Sequence, residues 1–288
     1  METSELLKKV RKIEIKTRGL SSQIFSGEYH SAFKGRGMAF SEVREYTPGD
    51  DVRTIDWNVT ARFNTPFVKV FEEERELSVM LLVDISASGL FGTNKQLKKE
   101  LITELCAVIA FSASTNNDKI GVIFFSDKIE KFIPPKKGKS HVLRIIRELI
   151  EYKPENKGTD LELPLKYLTN VIKKRSIAFL ISDFCANNNY KDALKIANKK
   201  HDIVGLRIID KSEQHIPEIG LIKFKDNESG QTVWVDSSSK IFQKEFKTFQ
   251  LKMEADLKDT FSRSGVDTAN IYTGESYIKP LMNLFKKR

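Results

Sequence analysis

Five consecutive apolar residues, Val79, Met80, Leu81, Leu82 and Val83, run without a break into Asp84-Ile85-Ser86-Ala87-Ser88. A strand points successive side chains to opposite faces, so an unbroken apolar run must be covered on both sides. That places it in the middle of a parallel sheet sandwiched between helices. In such sheets ligands lie just beyond the carboxyl ends of the strands. Asp84, Ser86 and Ser88 fall there, three oxygen-bearing side chains at alternating positions in one loop. This is hard-cation chemistry rather than nucleophilic catalysis, because no histidine lies nearby to activate a serine.

The central half of the chain repeats the pattern. Residues 96–113 carry Leu97, Leu101, Leu105, Val108 and Ile109 on a helical face. Residues 119–126 form a second apolar strand, with 128–133 returning beside it as a hairpin. Helices are predicted over 141–150, 161–171 and 190–199. Two further strands are expected over 177–181, which runs into Ser182-Asp183, and over 203–209. Strands alternating with helices give a doubly wound, mostly parallel α/β sheet of Rossmann-like type. Beyond it, 219–224 and 231–235 read as a β-hairpin. Residues 241–261 read as a helix whose Phe242, Phe246 and Phe249 pack on the sheet.

Only Cys106 and Cys185 are available, too few for a disulfide framework, and the four histidines have no zinc-ligand spacing. Any metal must be held by oxygens. No apolar run approaches the roughly 20 residues of a membrane span, and the charged residues 1–16 lack a signal-peptide core, so a cytoplasmic protein is expected. The net charge of +9 is uneven: residues 1–77 hold 13 basic and 13 acidic side chains, whereas 131–175 hold 12 against 5. That basic segment suits an acidic protein surface. Nucleic acid is the weaker reading, since no aromatic-interleaved groove accompanies it.

The first 76 residues are read as a separate module, an amphipathic helix over 6–15 followed by a β-rich segment. Residues 77–210 are the sheet domain, and 211–288 pack on it. Within the module, Arg44, Asp50, Asp51, Arg53, Asp56 and Arg62 gather around Trp57, the pattern of a structural ion network. The ordered words Gly35-Arg36-Gly37, Val43-Arg44-Glu45-Tyr46, Pro48-Gly49-Asp50-Asp51-Val52-Arg53 and Ile55-Asp56-Trp57-Asn58, with Ala61-Arg62, resemble the signature of the bacterial domain-of-unknown-function fifty-eight family. The likeness extends nearly to the C-terminus. It implies a von Willebrand factor A-like domain, in agreement with the strand pattern, and a MoxR-type AAA+ ATPase as partner.

Three strand ends or adjoining loops offer oxygens: Asp84, Ser86 and Ser88; then Gly158-Thr159-Asp160; then Ser182-Asp183. This set resembles the metal-ion-dependent adhesion site (MIDAS) of von Willebrand A domains. The resemblance implies Asp84, Ser86, Ser88, Thr159 and Asp183 as metal-binding residues, with Asp160 and Ser182 behind them. Mg2+ is the expected cation, with Ca2+ or Mn2+ as alternatives, because the hydroxyl donors are neutral and hard. The expected function is non-enzymatic: a protein-interaction module that binds a partner's carboxylate through the metal. The alternative is a magnesium-dependent hydrolase or phosphatase using Asp84. Against it, Ser86 stands where a second carboxylate would act as acid/base, and no phosphate loop is present.

Overall fold

The apolar run Val79–Val83 lies in a strand and is wholly buried. Each such aliphatic side chain contributes about 2 kcal/mol by leaving water. The computed structural model describes residues 38–73, 77–90, 92, 97–152, 158–186, 189–225 and 231–288, together with Arg11 and Ile13. In chain order the elements are β1 (Met38–Glu45), α1 (Trp57–Phe63), β2 (Phe67–Glu73), β3 (Ser78–Asp84) and α2 (Lys98–Thr115). They continue with β4 (Lys119–Phe125), β5 (Ile129–Lys136), α3 (Lys139–Glu151), α4 (Glu162–Val171), β6 (Ile177–Ser182), α5 (Lys191–Lys200) and β7 (Asp202–Ile209). The chain ends with α6 (Lys211–Gln214), β8 (Leu221–Lys225), β9 (Thr232–Asp236), α7 (Lys240–Ser264), β10 (Asp267–Tyr272) and α8 (Ile278–Lys286).

Six strands form the main sheet in the order β10-β7-β6-β3-β4-β5. All pairs are parallel except β4 with β5. Numbered along the chain, this is the doubly wound order 3-2-1-4-5-6, whose direction of winding reverses between β3 and β6. Such a reversal opens a crevice at the carboxyl ends of those two strands. The sixth strand, β10, comes from beyond residues 77–210, so the C-terminal segment completes the sheet.

Side-chain parity sorts the core into two layers. Val79, Leu81, Val83, Ile177, Phe179 and Ile181 meet α2, α3 and α8 on one face. Met80, Leu82, Ala178 and Leu180 meet α4, α5 and the C-terminal half of α7 on the other. In α3 the buried residues His141, Val142, Ile145, Ile146 and Leu149 recur at helical spacing, which turns one stripe inward. The β4–β5 edge pair needs Gly121. A Cβ there would stand 2.8 Å from the Pro135 nitrogen and 2.9 Å from the Ile133 carbonyl oxygen. Pro134 and Pro135 are tolerated because β5 is an edge strand.

Three expectations need correction. Helix α2 begins at Lys98, and Leu97 is exposed while Lys98 is buried. Phe249 is 61% exposed, so it does not pack on the sheet. Phe242 and Phe246 stack with one another, and Phe242 meets Phe224 of the β8–β9 hairpin instead. The cause is geometric: α7 is longer than the sheet it crosses, and only Leu257, Thr260, Phe261 and Ser264 in its last turns are buried. Of the helix expected over 6–15, Arg11 and Ile13 are described; both are helical, and Ile13 packs on the core. The Gly35-Arg36-Gly37 turn lies outside the described residues.

Candidate metal centre

Asp84 ends β3 and Ser182 ends β6, on the two strands that flank the reversal. Both are nearly wholly buried. The Ser182 hydroxyl donates to Asp84 Oδ2 at 2.6 Å, and the Ser86 amide donates to Asp84 Oδ1 at 2.9 Å. The Ser86 hydroxyl also hydrogen-bonds Asp84. Ser88 lies in the 3-10 turn Ala87–Leu90, and its side chain is outside the described set. Burial, and after it the charge of neighbouring Asp183, push the Asp84 carboxyl above its ordinary pKa.

The chain turns sharply after Ser182. Phe184 adopts φ of 60°, an uncommon value for a bulky residue. Its amide donates to the Ser182 hydroxyl at 3.0 Å, while the Cys185 amide donates to Asp183 Oδ1 at 3.1 Å. The Phe184 ring is anchored edge-on against Phe261, 5.0 Å between centroids. This turn brings the Asp183 carboxyl to α2, close enough to Asp84 for its charge to be felt there.

There Asp183 meets Lys98, a residue that sequence reasoning missed. Lys98 is 1% exposed, and its ammonium lies 3.2 Å from Asp183 Oδ2 and 2.6 Å from Glu213 Oε1. Burial lowers its pKa, but the charges of Asp183 and Glu213 and their hydrogen bonds outweigh that and leave it raised. The sequence did hold a signal: Lys98 stands three residues before Leu101, on the apolar stripe of α2. Glu213 was silent, because its place depends on the capping box that Asp210 and Glu213 build on α6.

The third predicted loop sits beside β4. The Asp160 amide donates to the Ser126 carbonyl at 2.9 Å, which places half-buried Thr159 at the end of the strand paired with β3. Asp160 itself caps α4, accepting from the Glu162 amide at 2.8 Å and the Leu163 amide at 3.3 Å. A small crevice lined by Asp84, Ser86, Lys99, Thr103 and Tyr152 opens beside the first loop.

The charged residues around Trp57 form separate local pairs rather than one network. Arg44 grips Asp50 with two bonds of 2.7 Å, and the Thr47 amide joins them at 2.9 Å. This fork, and the Arg44 bond above all, holds the Asp50 carboxyl well below the usual range. Asp51 pairs with Arg53 only two residues on. Asp56 caps α1 and pairs with Lys69 at 3.4 Å. Trp57 is 70% exposed, and Arg62 makes no ion pair among the described residues. Asp50 is held by Arg44 and Thr47, Asp51 by Arg53, and Asp56 by the α1 amides and Lys69, and no ion pair joins one of these groups to another among the described residues.

The donor set suits a small hard cation. Asp84 faces no cation among the described residues, while one ammonium, Lys98, serves both Asp183 and Glu213. The strand ends therefore carry more negative than positive charge in a water-poor place, with hydroxyl oxygens alongside. No three His, Cys, Asp or Glu side chains cluster there among the described residues. The coordinating atoms would come from two carboxylates and from hydroxyls.

The sheet has a doubly wound, mostly parallel fold of von Willebrand factor A-like type, with an oxygen-rich crevice at its reversal. The chain belongs to the DUF58 family, proteins of unknown function, whose family model matches residues 42–256. It is similar to the uncharacterized protein Rv1480 of Mycobacterium tuberculosis, 26% identical over 290 residues spanning 100% of this chain and 91% of the relative. Among solved structures it is similar to an aerotolerance-related membrane protein from Bacteroides fragilis, with TM-score 0.51 and 16% identity over 74% of this chain and 100% of that one. It is likewise similar to BatB from Bacteroides thetaiotaomicron, with TM-score 0.50 and 16% identity over 73% and 98%. At these identities the likeness is one of fold. No helix among the described residues is long and apolar enough to cross a membrane.

Proposed function

We propose that this protein is a metal-dependent protein-interaction module, not an enzyme, that takes a partner's Asp or Glu at the ends of β3 and β6. The observation that carries it is the buried Asp84 carboxylate, held by the Ser182 hydroxyl and the Ser86 amide with no cation partner among the described residues, near a second buried carboxylate, Asp183. Asp84, Ser86, Ser88, Thr159 and Asp183 are the residues that would hold Mg2+, Ca2+ or Mn2+. A bound divalent ion supplies an electrophilic position for an incoming carboxylate. Ser182 fixes the Asp84 carboxyl, and Lys98 balances Asp183, so the incoming group does not meet two uncompensated anions. Support for binding over hydrolysis comes from Asp84 itself. Both its oxygens are engaged and the side chain is buried, poor circumstances for a nucleophile. The family resemblance points to a MoxR-type AAA+ ATPase as the partner, with the basic segment 131–175 steering its acidic surface.

Titration calorimetry with Mg2+, Ca2+ and Mn2+ tests the metal directly. The wild type should bind at least one of them, and Asp84→Ala with Ser86→Ala should weaken binding at least tenfold. Purified MoxR-type ATPase should be retained by the wild type in Mg2+ and released by chelator. Retention indifferent to chelator and to the double substitution refutes the metal bridge.

A further inference from the structure

Helix α1 has an inner and an outer side. Val59 and Thr60 are half-buried, and the Thr60 hydroxyl accepts from the Phe67 amide of β2 at 3.0 Å. At 100° per residue, Trp57, Asn58, Ala61 and Arg62 fall within an arc of about 140° on the opposite side. All four are exposed. Trp57 thus leaves a large apolar ring in water with no packing role in the fold, unlike Phe63, whose ring centroid lies 5.5 Å from that of Phe67.

This outer face is also positive. Arg62 makes no ion pair among the described residues, and the helix contains no acid. The acids before it are engaged: Asp50 by Arg44, Asp51 by Arg53, and Asp56 by the α1 amides and Lys69. The helix is fixed at both ends. Asp56 accepts from the Asn58 amide at 3.0 Å, and its own amide donates to the Phe67 carbonyl at 2.8 Å. Asn64 closes the helix with φ of 55°, its amide donating to the Thr60 carbonyl at 2.9 Å. A partner that docks here orders little backbone, which favours affinity.

The helix dipole explains a cation in the last turn, but neither the tryptophan in the first turn nor the choice of arginine. From Arg44 to Val68 there are three arginines and no lysine, in a chain of 35 lysines and 13 arginines. Protein interfaces enrich tryptophan and arginine and are depleted in lysine. A guanidinium takes both oxygens of a carboxylate, and an indole fills an apolar pocket. We infer that the outer face of α1 docks a protein partner that presents an apolar pocket rimmed by Asp or Glu, with Trp57 as the apolar anchor and Arg62 as the charged one.

A photoreactive benzoylphenylalanine in place of Ala61, in the whole protein expressed in its own cells, samples what meets this face. Sequencing the crosslinked peptide locates the contact, and the expected product is one protein joined at a segment holding Asp or Glu beside apolar residues. That protein, once purified, should bind the native chain in chelator, where the strand-end site takes no part. Trp57→Ala should weaken binding at least about thirtyfold and Arg62→Glu at least about tenfold. Both side chains are exposed, so melting curves should not move; if Trp57→Ala does lower the melting point, Arg62→Glu carries the test. Changing the partner's crosslinked acid to Arg should restore most of the affinity that Arg62→Glu loses. The proposal is overturned by any of four results: no crosslink; crosslinks only to lipid, nucleic acid or a second copy of this chain; a crosslinked segment without an acid; or no restoration by the charge reversal.

Discussion

Replacing Lys98 by Met tests the reading of the strand ends at its most constrained point. The side chain is 1% exposed and begins a helix, where the helix dipole disfavours a cation. It is kept there by Asp183 at 3.2 Å and Glu213 at 2.6 Å. The two acids would respond differently to its loss. Glu213 is 36% exposed and can turn to water, whereas Asp183 is 8% exposed and held by the Phe184 turn. The cost is therefore that of one stranded buried carboxylate, about 3–5 kcal/mol. In a chain of this size that lowers the melting temperature by roughly 10 °C. Urea unfolding in chelator, with Lys98→Met, Asp183→Asn and the double variant, measures it and keeps divalent ions out of the comparison. The double variant should recover most of the loss, because a neutral amide beside a methionine no longer needs a counter-charge. A single variant within 1 kcal/mol of wild type, or a double variant no better than the single, would refute the assignment.

Two further outcomes follow from the core. His201 is wholly buried, with Nδ1 3.0 Å from the Ser176 hydroxyl, and burial, then Lys200 and Arg175, lower its pKa from 6.5 to about 4. The unfolded chain then binds the extra proton between about pH 6.5 and 4, so stability is constant above that window and falls through it, by about 3 kcal/mol at most. Urea unfolding from pH 7 to pH 4 should show this fall and His201→Leu should flatten it; an equal slope in both means that His201 is not its source. Gly121→Ala should cost about 1–3 kcal/mol by overpacking, since its Cβ would press on the backbone of β5. Unfolding midpoints measure that loss, and a neutral result would mean that the two strands can part freely.

What the sequence disclosed depended on how local the cause was. Strands β3, β4, β6 and β7 were legible because burial on both faces writes an unbroken apolar run. Strand β10 was not: it is the edge next to β7, only Ala269 and Ile271 are buried, and Asp-Thr-Ala-Asn-Ile-Tyr carries no such run. The helix over α7 was legible from its spacing, but not where its partner sheet stops, so Phe249 was assigned a packing it does not have. The oxygen donors at the strand ends were legible as residue types at turns.

Their faces were not legible, and the faces matter most for the site. Asp84 continues the Met80 and Leu82 side of β3, and Ser182 continues the Ala178 and Leu180 side of β6, so the two meet across the strands. Asp183, one residue past the end of β6, meets Lys98 of α2 instead. A one-residue step decides that Ser182 touches Asp84 while Asp183 takes a lysine. The side that Ser182 shares with Asp84 is fixed by the register Val83 to Ile181, a pairing across about 100 residues that no local pattern encodes. The same register makes the site asymmetric. A hydroxyl holds one carboxylate, which has no cation partner among the described residues, while a buried ammonium joins the other to α6. Under the proposed metal-dependent role a cation would be drawn by Asp84 first, because Asp183 already has a counter-charge in place.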